Sequence, residues 1–253
     1  MTDLFSIEGR IACVTGASGG LGRCLASAYA AAGVAVVGVA RRLEELKAWA
    51  NGIQESGGRA AFVVADLSDP SALGDVAKQV SRYFGPPDIL VNAAGLNPRR
   101  HANEVTLEVW HETLELNLST PFFLAQKLVP AMAEEGWGRI VNIASLQSYR
   151  AFTKGIAYGA SKGGVAQLTR AMAEAWSQKG ITCNALAPGF FPTELTGPVF
   201  ANETLAAQMA AQTCIGRNGR LEDLVGPAIF LASPASDYVT GQVLFVDGGF
   251  SAK

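Results

Sequence analysis

The sequence predicts a doubly wound α/β fold: a Rossmann-type three-layer sandwich around a mainly parallel sheet of about seven strands. Three observations carry this reading. Short, nearly uninterrupted apolar runs recur along the 253 residues, as strands do when helices cover both faces of a parallel sheet. Segments with helical spacing separate them, so the order is β-α-β-α throughout. Charged residues make up only 17% of the chain, against a usual share of about 25%, so an unusual part of its length belongs in a core.

The elements follow in order. A strand at 11–16 leads into a helix over 21–32, stopped by Gly33. The next strand, 34–40, is followed by a helix over 43–54 that ends at Gly57-Gly58. The third strand, 60–67, passes through an Asp69-Pro70 turn into a helix over 72–84, ended by Gly85-Pro86-Pro87. Strand 88–95 precedes a long helical stretch, 105–132, with a kink signal at Ser119-Thr120-Pro121 and a stop near Gly136. Strand 139–145, helix 158–178 and strand 181–189 come next, and strand 242–249 closes the chain. The region 190–214 breaks the rhythm. It reads as an excursion over the sheet edge, a lid on the substrate, with Phe190, Phe191 and Phe200 in that lid or in the core. Residues 1–253 read as one domain.

With 20 basic and 22 acidic residues, the net charge of −2 leaves no electrostatic footprint for nucleic acid or a membrane surface. The partner expected is a small molecule. Cys13, Cys24, Cys183 and Cys214 show no metal-ligand or CxxC spacing, so no metal is expected. Few cysteines and an N-terminus without an apolar leader point to the reducing cytoplasm.

In such sheets ligands bind beyond the carboxyl ends of the strands. The first strand ends in Thr15-Gly16-Ala17-Ser18-Gly19-Gly20-Leu21-Gly22. Glycines there let the backbone approach a pyrophosphate at a helix N-terminus. The same residues match the G-x-S-x-G nucleophile elbow at Ser18, as 159–163 does at Ser161. That hydrolase reading ranks low: the only histidines, His101 and His111, precede Ser161, and no strand precedes Ser18 to supply an oxyanion loop. The second strand lacks the acid that holds the ribose hydroxyl of NAD. Arg41 and Arg42 stand where a 2′-phosphate would lie, so NADP(H) is favoured over NAD(H). Asp66-Leu67 ends the third strand, and Asn92-Ala93-Ala94-Gly95 ends the fourth, at the expected adenine end.

The fifth strand ends at Ser145. Tyr158 and Lys162, four apart, share a face of the helix that follows. An unperturbed phenol titrates near ~10. A neighbouring ammonium and the nicotinamide charge would favour the phenolate and bring proton transfer to a carbonyl oxygen within reach. Ser145 can hydrogen-bond that oxygen. Two adjacent arginines, Arg99 and Arg100, could hold a substrate carboxylate, phosphate or sulfonate, and the amide of Gln147 suits a polyol.

These motifs, TGASGGLG, NAAG, Asn117, Ser145, Tyr158-Gly-Ala-Ser-Lys162 and Pro188-Gly189, resemble the short-chain dehydrogenase/reductase family over essentially the whole chain. The resemblance implies that Tyr158 is the general acid/base and that Ser145 orients the carbonyl. Lys162 would hold the nicotinamide ribose and lower the tyrosine pKa. Asn117 would position a water of the proton relay, and Thr193 would contact the carboxamide. It also implies a homotetramer. Ala93 departs from the family's usual NNAG. The segments DLFSIEGR, SLQS, PGFFPTELT and FLASPASDYVTGQVLFVDGG are most similar to gluconate 5-dehydrogenase-like members, although those usually end the second strand with an acid. The expected reaction interconverts a secondary alcohol and a ketone on a small polyhydroxylated or anionic compound. A 3-oxoacyl or general ketone reductase is the runner-up, and a non-catalytic cofactor-binding protein is the distant third.

Overall fold

The computed structural model describes residues 3–253. Seven strands form one sheet: β1 (Ile11–Thr15), β2 (Ala35–Ala40), β3 (Ala60–Val64), β4 (Ile89–Asn92), β5 (Gly138–Ile143), β6 (Ile181–Pro188) and β7 (Val243–Val246). Their order is β3-β2-β1-β4-β5-β6-β7, with every pairing parallel. The register aligns Cys13 with Val37 on one side and with Leu90 on the other. Every residue of β2, β4, β5 and β6 is buried, which is why these strands read as continuous apolar runs rather than alternating ones.

Helices cover both faces. On one, α1 (Gly20–Ala31), α2 (Leu43–Glu55) and α9 (Val225–Ala232) share a core through Leu25, Tyr29, Leu46, Trp49 and Leu231. The Tyr29 hydroxyl donates to the Ala228 carbonyl at 2.9 Å and pins α1 to α9. On the other face, α3 (Leu73–Phe84), α5 (Thr120–Glu134) and α6 (Ile156–Trp176) pack Leu73, Val80, Leu124 and Met172 against the sheet. Cys13 and Cys183 are fully buried there as small apolar groups.

The predicted 105–132 helix is divided. It consists of α4 (Leu107–Leu114), a π-helical turn over Glu115–Ser119, then α5, which begins at the predicted Thr120-Pro121 kink. π-turns of this kind are rare and often mark functional positions. The 190–214 excursion holds two short helices, α7 (Gly197–Phe200) and α8 (Glu203–Gln212). Phe191 belongs to the core, packed against Gly219, rather than to a lid. Phe200 is half-buried.

The chain order reverses between β1 and β4. This switch point opens a crevice at the carboxyl edge of the sheet, and the loops after β1, β2, β4, β5 and β6 all converge on it.

Candidate active site

At the switch point Thr15 ties two loops together. Its hydroxyl oxygen accepts from the backbone N–H groups of Ala93 and Ala94, each at 3.0 Å. The glycine turn therefore sits against the end of β4, and its glycines are required by contact. A Cβ on Gly22 would collide with the Gly16 carbonyl. One on Gly16, whose φ is +73°, would lie 2.9 Å from the Ala93 carbonyl oxygen. Sequence reading quoted Thr15 only as part of the motif and missed this clamp.

A cleft of about 730 Å³ runs from Arg41, Arg42, Asp66 and Leu67, past Gly16, Ser18, Gly20, Leu21, Gly22, Ala93 and Gly95, to Ser145, Gln147, Tyr158 and Lys162. Pro188, Gly189 and Thr193 form its other wall, and Arg99 lies at the far end. This elongated, glycine-floored shape fits a dinucleotide. Arg41 lies 3.9 Å from Asp66. Arg42 donates to Ser18 Oγ at 3.2 Å and to the Glu194 carboxylate.

The chemical end is built from β5 and α6. Ser145 heads a short 3-10 turn, and its Oγ accepts from the Gln147 N–H at 3.1 Å, which leaves its proton free to donate elsewhere. Tyr158 and Lys162 are both buried. Lys162 Nζ donates to the Ile143 carbonyl at 2.6 Å, and burial pulls its pKa from the ordinary 10.5 down to about 8. The Tyr158 phenol is raised by burial, while its hydrogen bond with Ser145 and the charge of Arg99 pull it back. This corrects one expectation. Burial outweighs the lowering expected from a neighbouring ammonium, and the Lys162 ammonium is itself disfavoured by desolvation and committed to a carbonyl.

Two further expectations are corrected. The Asn92 side chain does not line the cleft: it is buried and donates to Asn142 Oδ1 at 2.9 Å, between strands β4 and β5. Arg100 is exposed and outside the cleft, because the chain turns at Arg99, where φ is +49°. The Asn117 amide is engaged by protein. It donates to the Leu96 carbonyl (2.9 Å) and to Ser161 Oγ (3.0 Å) and accepts from the Leu96 N–H (2.9 Å). From its π-turn, the Asn117 side chain thus clamps the β4 loop to α6.

Phe152, Lys154 and Glu194 also line the cleft, although no sequence signal marked them. Phe152 and Phe190 pack edge to face with ring centres 5.9 Å apart. The buried atoms Arg99 Nε and Gln147 Oε1 have no protein partner.

The family model for enoyl-(acyl carrier protein) reductases, a short-chain dehydrogenase model, matches residues 16–251. The chain is 42% identical over 252 residues to the gluconate 5-dehydrogenase of Gluconobacter oxydans, covering 99% of this chain and 98% of that one. It is 38% identical over 250 residues to the 2-dehydro-3-deoxy-D-gluconate 5-dehydrogenase of Escherichia coli, covering 98% of each. Among solved structures it resembles a gluconate 5-dehydrogenase from Burkholderia cenocepacia in complex with NADP and tartrate. The TM-score is 0.95 at 37% identity, over 99% of this chain and 98% of that one.

Proposed function

The chain belongs to the short-chain dehydrogenase/reductase family, and on that premise we propose that it interconverts a secondary alcohol and a ketone on a small sugar acid, with NADP(H) favoured over NAD(H). The observation that carries this reading is the meeting of Ser145, Tyr158 and Lys162 in the glycine-floored cleft.

When bound, the nicotinamide supplies or accepts the hydride. This chain's residues do the rest. Burial keeps the Tyr158 phenol protonated, ready to give its proton to the oxygen of a ketone as that oxygen gains charge. In the reverse direction the phenolate takes the hydroxyl proton. Ser145, its lone pair occupied by the Gln147 N–H, donates to the same oxygen and orients it. Lys162, held by the Ile143 carbonyl, is placed for the nicotinamide ribose. Asn117 holds Leu96 and Ser161, and through them the floor under Lys162. Gly16, Ser18, Gly20, Leu21 and Gly22 suit the diphosphate, and Arg41 and Arg42 suit a 2′-phosphate.

A sugar acid is supported by two orphaned polar atoms at the substrate end. Arg99 would take the carboxylate, and Gln147 Oε1 would accept from a substrate hydroxyl. Lys154 adds a second positive charge. Three relatives named above act on gluconates by name, and one of them is described with tartrate, a hydroxylated dicarboxylate. The aromatic wall of Phe152 and Phe190 favours a second reading, a general 3-oxoacyl or ketone reductase. A screen of NADP- and NAD-linked turnover over gluconate, neutral polyols and 3-oxoacyl thioesters separates them. Turnover confined to the thioesters would replace the first reading with the second.

The same reading includes a homotetramer in the cytoplasm, with 190–214 covering the cleft. Apolar residues at the edge strand β7 support self-association: Leu244 is exposed, and Tyr149 packs edge-on to Phe245. Four unpaired cysteines suit a reducing compartment. No helix among the described residues is long and apolar enough to cross a membrane.

A further inference from the structure

Arg42, expected to meet a cofactor phosphate, already holds an anion belonging to this chain. Its Nη1 donates to both carboxylate oxygens of Glu194, at 2.9 and 3.0 Å, across 152 residues of sequence. Its Nε donates to Ser18 Oγ in the glycine turn at 3.2 Å. The pair lies directly on that turn. A Cβ on Gly19 would fall 2.6 Å from Arg42 Nη2 and 3.1 Å from Glu194 Oε1. Gly19 is the N-cap of α1, a twelve-residue helix with no acidic side chain in its first turn. The Glu194 carboxylate therefore stands where nucleotide anions are expected, against a guanidinium, a hydroxyl and the start of a long helix.

Glu194 comes from the opposite wall of the cleft. It begins the short turn Glu194–Thr196, directly after Thr193, whose side chain faces Gly20. The next residue is held from the substrate side, where Arg99 Nη2 donates to the Leu195 carbonyl at 3.0 Å. Adjacent residues of one turn are thus held by the two arginines, Arg42 and Arg99, at the two ends of the cleft.

We infer that Glu194 is a specificity-determining residue that competes with the cofactor 2′-phosphate for Arg42. This rests on the NADP reading above and deepens it. A phosphate dianion carries more negative charge than a carboxylate and also pairs with Arg42 bidentately. The existing pair is exposed on both sides, with side-chain exposures of 40% and 72%, so its loss costs little when another anion replaces it. A nucleotide carrying a 2′-phosphate makes that replacement. One with a free 2′-hydroxyl leaves Arg42 with Glu194. The carboxylate thus lowers affinity for the phosphorylated nucleotide alone, and the exchange frees the Glu194–Thr196 turn from one of its two arginine ties. Glu194 acts through Arg42 and is a positioning residue.

The test is calorimetric titration of the full chain with adenosine 2′,5′-bisphosphate and adenosine 5′-monophosphate, which differ only in the 2′-phosphate. The proteins are wild type, Glu194→Gln, Arg42→Met and the double variant. Glu194→Gln is expected to tighten the bisphosphate about two- to fivefold, the scale of an exposed ion pair, and to leave the monophosphate unchanged. In the Arg42→Met background the effect of Glu194→Gln should vanish. Equal tightening of both probes, or tightening that persists without Arg42, would mean that Glu194 acts by general repulsion, and would overturn the proposal. If Arg42→Met abolishes the preference for the bisphosphate while Glu194→Gln changes nothing, the NADP reading stands and the competition alone fails. If Arg42→Met leaves that preference intact, the assignment of Arg42 to the 2′-phosphate fails and takes the competition with it.

Discussion

Lys162 Nζ donates to the Ile143 carbonyl at 2.6 Å and stands 5.7 Å from the centre of the Tyr158 ring. The lysine is thus fixed by β5 beside the tyrosine without a hydrogen bond to it, and the two residues are separable by mutation. Tyr158→Phe removes the transferable proton and keeps the ring in place. Turnover should fall by about 10²–10⁴, the usual share of general acid–base catalysis, while NADP(H) titration gives an unchanged Kd. Retained turnover would assign the proton to another group.

The buried ammonium of Lys162 makes a pH-dependent contribution to stability. Its pKa is about 8 in the folded chain against an ordinary 10.5. Between those values the unfolded chain still binds a proton that the folded chain has released, so stability from this group rises with pH across that window. The Tm of wild type minus that of Lys162→Met should therefore increase between pH 7 and pH 10. A constant difference would show that the amine titrates alike in both states.

Arg99 is expected to act twice. Its charge lowers the Tyr158 phenol, so Arg99→Ala should move the alkaline rise of kcat/KM for alcohol oxidation to higher pH. Loss of a charged hydrogen bond costs about 1.5–3 kcal/mol, so KM for a sugar acid should rise by about tenfold or more, with little change for a neutral polyol. A pH profile that stays in place would remove Arg99 from the electrostatics of the phenol.

Glycines offer a control on the cofactor floor. At Gly22 an added methyl meets the Gly16 backbone, and Gly22→Ala should lower Tm by about 5 °C, as overpacking does, and weaken NADP(H) binding. At Gly52, within α2, nothing lies within 4 Å. Gly52→Ala should raise Tm by about 2 °C. Equal effects would deny the close approach of α1 to β1.

Much of this molecule was legible before its structure because parallel sheets write continuous apolar strands. The reading 139–145 differs little from Gly138–Ile143, and 181–189 little from Ile181–Pro188. That Gly16, Ser145, Tyr158 and Lys162 line one cleft was legible because strand ends and helix spacing place them. Side-chain direction was not. Asn92 follows Val91 in the same strand, yet its amide turns inward to Asn142, and nothing in the run ILVNAAG marks that. The partners of Asn117 and Arg42 lie 21 and 152 residues away, and pairings at such range have no local sequence signature. The direction of the Tyr158 shift was missed because burial, which dominates it, is a property of the packed core.

The central claim is NADP-linked redox chemistry at Tyr158 on a sugar acid. The most direct measurement is the initial rate of NADP reduction with gluconate, with NAD in place of NADP as comparison and Tyr158→Phe as control. The account predicts turnover with gluconate, a higher kcat/KM with NADP than with NAD, and loss of both rates in the variant. No turnover of gluconate or any related sugar acid, or an equal rate in Tyr158→Phe, would contradict it.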